Sequence, residues 1–103
     1  MGTIKENSAF AKQQLMTEVQ KKGKQLPEGM ENEINLAVYN YCKFTRNEAR
    51  QAIQNSIQAN EQLAENPHLN SDKQESHNQY AALLKKLREI CETLYPETKK
   101  PDA

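Results

Sequence analysis

The sequence has few of the residues on which most enzymes and cofactor-binding proteins depend. Its 103 residues include no Trp, two His, two Cys and three Gly. The glycines, Gly2, Gly23 and Gly29, are too far apart to form the Gly-rich loop that cradles a nucleotide phosphate. We therefore expect no nucleotide-binding loop and no cofactor.

Net charge and long apolar runs are also lacking. Fourteen basic residues balance 14 acidic ones, so no net field attracts nucleic acid or an anionic membrane. No stretch approaches the roughly 18 apolar residues of a membrane span, and residues 1–10 carry one basic residue, Lys5, and no apolar run. We expect a cytoplasmic protein without a membrane partner, with a C-terminal address for a specialised secretion system left as an alternative.

The histidines are too few for a di-iron helical bundle, which needs two Glu-x-x-His pairs on separate helices. One such spacing exists, Glu65 to His68, but Pro67 lies inside it and disrupts the helical geometry. His77 is the only other histidine. The sequence predicts no metal site, and both histidines are expected to be solvated.

The two cysteines also lack the setting of a catalytic thiol, which needs a nearby histidine or a helix N-terminus. Cys42 lies near a predicted helix C-terminus, and Cys91 lies in the middle of an apolar stripe. We expect both to be small core residues without a disulfide. With no catalytic residue identified, the chain is predicted not to be an enzyme.

Helical periodicity is the clearest pattern that is present. Leu, Ile, Val and Phe number only 18, against ten Gln and ten Asn, yet the apolar residues recur at helical spacings. The last segment shows this best, with Tyr80, Leu83, Leu84, Leu87, Ile90, Cys91 and Leu94. The pattern predicts a folded chain with a small core, and such a core favours self-association or a bound partner.

Breaks in the pattern divide the chain into four predicted helices. Leu26-Pro27-Glu28-Gly29 and Asn66-Pro67 interrupt it, and Thr45 to Glu48 has the spacing of a capping box. We predict an all-α, small antiparallel four-helix bundle that self-associates. A single domain covers 1–96, a flexible tail covers 97–103, and the helices span about 6–25, 30–44, 46–65 and 71–95.

The second helix carries more apolar residues than one core face can bury. Ile34, Val38 and Tyr41 form its main stripe, whereas Leu36 and Tyr39 lie off that stripe. Tyrosine is favoured at protein interfaces, and methionine adapts to irregular contacts. The predicted dimer or partner surface is therefore formed by Met16, Met30, Leu36, Tyr39 and Phe44.

These features predict a non-enzymatic, protein-binding regulator that forms homo-oligomers. Such an inhibitor, immunity protein or adaptor covers the functional surface of an enzyme, toxin or effector with a helical face. Size and helical pattern resemble those of small bacterial immunity and anti-effector proteins in outline, although the sequence contains no family motif. Two alternatives stay open: a structural subunit of a larger complex, and a helix-turn-helix-like regulator that reads nucleic acid through Arg46, Asn47 and Arg50.

Overall fold

Four α-helices make up the regular structure of the chain, in a computed structural model that describes residues 3–96. They are α1 (Ile4–Gln20), α2 (Met30–Lys43), α3 (Arg46–Ala64) and α4 (Ser71–Leu94). No strand occurs within 3–96, which confirms the predicted all-α, four-helix arrangement. The predicted flexible tail, 97–103, lies outside the described residues.

Side-chain caps fix where three of the helices begin. Thr45 and Glu48 form the predicted capping box at α3, and Thr3 and Glu6 form a second one at α1. The Asn70 side chain accepts a hydrogen bond from the Lys73 amide at the start of α4. Because Thr3 supplies the first cap, α1 begins two residues earlier than predicted.

The end of α1 also differs from the prediction, since the helix stops at Gln20 rather than near position 25. The amide of Lys24 bonds to the Val19 carbonyl, and that of Gly23 bonds to the Gln20 carbonyl. This is the Schellman pattern, which requires a left-handed residue after the helix. Gly23 provides it with φ of +69°.

Side chains from all four helices form one hydrophobic core. α2 and α4 each contact the other three helices, whereas α1 and α3, as far as they are described, share no substantial contact. The most completely buried large side chains are Leu15, Met30, Ile34, Val38, Ile57, Leu84, Leu87 and Cys91. α2 and α4 therefore form the centre of the bundle.

The end of α3, the start of α4 and the turn between them, residues 58–80, extend beyond this core. No residue from 58 to 80 is fully buried, and the structure measures 50 × 25 × 18 Å along its principal axes. Polar contacts join the two helices there: Asn60 Oδ1 to His77 Nδ1 at 2.9 Å, and Lys85 Nζ to Glu61 Oε2 at 2.8 Å. His77 is thus half-buried and hydrogen-bonded to Asn60 rather than simply solvated.

No helix among residues 3–96 is long and apolar enough to cross a membrane.

Candidate functional site

The side of α2 that faces away from the core carries two large apolar side chains. Met30, Ile34, Ala37, Val38 and Tyr41 are buried on the opposite side. Leu36 and Tyr39 are three residues apart, so they are neighbours on one side of the helix. They remain 56% and 45% exposed, which makes this side of α2 apolar and accessible.

Phe44 extends this surface at the end of α2. Its ring meets the ring of Tyr39 edge to face, with centroids 6.2 Å apart and planes inclined by 70°. Phe44 is the C-cap of α2, where its amide bonds to the Asn40 carbonyl, and Thr45 immediately caps α3. The short connection therefore fixes Phe44 against Tyr39 although its side chain is 51% exposed. We call Leu36, Tyr39 and Phe44 the α2 outer face.

The two methionines of the predicted surface do not belong to this face. Met30 is completely buried, because it precedes Ile34 by four residues and continues the core stripe. Its assignment to a partner surface was wrong. Met16 is half-buried and lies on α1 rather than α2. The structure thus reduces the candidate site to the three exposed residues of the α2 outer face.

The arginines of the nucleic-acid alternative are held by a carboxylate. Arg50 donates from Nε and Nη2 to the two carboxylate oxygens of Glu92, each at 2.9 Å. Arg46 Nη1 lies 3.6 Å from Glu92 Oε1, and Arg46 Nη2 bonds to the Glu92 and Tyr95 carbonyl oxygens at 3.4 Å. Both arginines therefore join the start of α3 to the end of α4, while Asn47 is exposed.

Tyr41 adds α2 to this junction, since its hydroxyl donates to Glu92 Oε2 at 2.7 Å. Hydrogen bonding from Arg50 lowers the pKa of Glu92, with Tyr41 and Arg46 acting in the same direction against the effect of burial. Burial, together with the bond to Glu92, raises the pKa of Tyr41. No local pattern in the sequence predicts this junction, because Glu92 lies 42 positions from Arg50 and 51 positions from Tyr41.

The cysteines differ in their surroundings. Cys91 is fully buried, as predicted, and burial raises the pKa of its thiol to about 12. Cys42 is exposed, so its assignment to the core was wrong. It follows Tyr41 by one position, which turns its side chain about 100° away from the buried side of α2.

A groove of about 940 Å³ lies between the end of α1 and α4. Lysines and glutamates both line it, together with His77 and Tyr80, so it has no single charge that would select an ion. Within residues 3–96 no group of three or more His, Cys, Asp or Glu side chains is arranged to hold a metal ion. The α2 outer face is therefore the best-defined candidate site.

Comparisons with known proteins add no relative to this description. No protein-family model matches the chain, and neither a curated protein nor a solved structure matches it.

Proposed function

We propose that this protein is a non-enzymatic regulator that binds another protein through the α2 outer face. One observation carries the proposal: Leu36, Tyr39 and Phe44 adjoin one another and are about half exposed, although most large apolar side chains of the bundle are buried or half-buried. Apolar side chains that adjoin one another on a surface are typical of interaction sites. Aromatic residues are also enriched among those that contribute most to binding.

The mechanism that fits this face is steric. The residues of α2 are held on the buried side by the core and at the C-terminal end by the contact between Tyr41 and Glu92. A helix fixed in this way is ordered before it meets a partner, which lowers the entropy lost on binding. It would cover a functional surface of an enzyme, toxin or effector, which is the action of an inhibitor, immunity protein or adaptor.

The contacts of Arg46 and Arg50 favour this function over nucleic-acid recognition. Reading base edges would require both guanidinium groups to leave Glu92. That change would leave the carboxylate without its two cationic partners and would weaken the junction of α2, α3 and α4. Binding through Leu36 and Tyr39 requires no such rearrangement.

The test compares three tagged proteins in capture from a lysate of the source organism: wild type, the double variant Leu36→Asp with Tyr39→Asp, and a matched control. The control, Phe10→Asp with Leu63→Asp, changes two exposed apolar residues on α1 and α3. We expect a stoichiometric protein with wild type and control that is lost with the α2 variant, and whose activity changes when this protein is added. Equal capture by all three proteins would contradict the proposal.

A further inference from the structure

Opposite charges lie on either side of Leu36 and Tyr39 along α2: the half-buried Glu33 before them and the exposed Lys43 after them. Residues 34–42 contain no charged side chain, and Glu33 and Lys43 lie immediately before and after them. Ten residues of helix separate this pair by about 15 Å along the axis. The midpoint of the uncharged stretch is Val38, close to the level of Leu36 and Tyr39.

This arrangement is complementary to itself when a second α2 runs in the opposite direction. A twofold axis at the level of Val38 would bring Lys43 of each copy to the level of Glu33 of the other. It would also place Leu36 of one copy near Tyr39 of the other, with no like charges at the centre. Twofold interfaces of this kind use the same patch on both subunits.

The asparagine residues of α2 are also compatible with antiparallel pairing of two α2 helices. Asn32 and Asn35 are exposed, and Asn40 is half-buried. An amide side chain both donates and accepts hydrogen bonds, so it can bond to an identical group. A rim of one charge would instead repel its own copy.

We propose that the α2 outer face binds a second copy of this chain, with the two α2 helices antiparallel. Because stable interfaces cover about 800 Å² of each partner and this face has three large apolar side chains, the dimer is weak, with a micromolar to millimolar dissociation constant. The inference rests on the proposed function because the second copy and the protein partner would bind to the same α2 outer face. Self-association and partner binding therefore compete.

Sedimentation equilibrium tests this pairing through charge reversal. Lys43→Glu alone, or Glu33→Lys alone, places like charges at both ends of the twofold interface, and each should raise the dissociation constant about tenfold or more. An equimolar mixture of the two variants should restore association to near the wild-type level, since each heterodimer regains both opposite-charge pairs. Lys73→Glu, an exposed change on α4, controls for net charge and should have no effect.

Three results would overturn the inference: a wild-type monomer up to millimolar concentration, single variants that associate as wild type does, or a mixture that is not restored. Glu33 and Lys43 also interact with the helix dipole, so circular dichroism and urea unfolding are measured for each variant. If Glu33→Lys does not fold, the double variant Asn32→Lys with Glu33→Gln replaces it in the mixture, because it removes the carboxylate and places a positive charge at the neighbouring exposed position. Self-association is measured on the isolated protein, so its failure would leave the capture experiment informative about the proposed function.

Discussion

Tyr39 and Tyr41 lie two residues apart on α2 and point to opposite sides of the helix. The Tyr41 hydroxyl donates to Glu92 of α4, 2.7 Å away, whereas the Tyr39 ring contacts Phe44 at the surface. Tyr41 is only 6% exposed, and Tyr39 is 45% exposed. One residue type thus stabilises the fold at one position and is free to contact another protein at the other.

This difference predicts separate effects of two substitutions. Tyr41→Phe removes a hydrogen bond to a charged group and should lower the free energy of unfolding by about 1–3 kcal/mol, with binding by the α2 outer face unchanged. Tyr39→Ser should change that free energy by less than about 0.5–1 kcal/mol and weaken binding. Urea unfolding and quantitative capture measure the two effects, and a similar loss of stability in both variants would contradict the division.

A pair of leucines gives a matched test of which residues form the core. Leu84 is completely buried and Leu36 is 56% exposed. Leu84→Ala should destabilise the protein by about 2–5 kcal/mol because it removes buried contacts and leaves a cavity. Leu36→Ala should be nearly neutral in stability. The comparison uses the same chemical change in urea unfolding, and equal losses would contradict the placement of Leu36 at the surface.

Local patterns in the sequence predicted the helices and the core well. The spacing of Thr45 and Glu48 identified the start of α3, and the same spacing at Thr3 and Glu6 could have identified the start of α1. Met30 also follows the stripe that placed Ile34 in the core. The periodic pattern therefore predicts the burial of Met30, and the adaptability of methionine alone does not place it at a surface.

The contacts between helices could not be predicted from local patterns in the sequence. No local sequence pattern relates Glu92 to Arg46, Arg50 and Tyr41. Helical periodicity relates residues within one helix, whereas Glu92 lies on a different helix from the other three. The exposure of Cys42 depends on how much of the α2 surface the neighbouring helices cover, and the sequence of α2 alone does not determine this. For the α2 outer face, periodicity separated Leu36 and Tyr39 from the core stripe, and the tertiary structure then showed how exposed they are.

The Glu92 junction predicts a pH dependence of stability. The pKa of Glu92 is lower in the folded protein than its ordinary value of 4.5. As the pH falls, Glu92 is therefore protonated in the unfolded chain before it is protonated in the folded protein. The contribution of Glu92 is therefore present above about pH 4.5 and is lost as the pH falls toward its folded pKa. Glu92→Gln should lose about 1–3 kcal/mol at neutral pH, with a smaller difference from wild type in acid.

Urea unfolding from neutral pH to pH values below the Glu92 pKa measures this difference. Glu89→Gln, an exposed change on the same helix, is the control and should follow the wild type at every pH. A difference between wild type and Glu92→Gln that stays constant with pH would show that the carboxylate charge is not what stabilises the junction.

The two cysteines should react at very different rates in the folded protein. Cys42 is exposed, whereas Cys91 is fully buried and its thiol has a pKa of about 12, so little of it is the reactive thiolate. Iodoacetamide should modify Cys42 first, and Cys91 should react only as the bundle unfolds in urea. Mass spectrometry of proteolytic peptides identifies the labelled cysteine, and Cys42→Ser leaves Cys91 as the only thiol. Rapid labelling of Cys91 in the native Cys42→Ser variant would show that the α4 core opens without global unfolding, contrary to the burial of Leu84, Leu87 and Cys91 in one core.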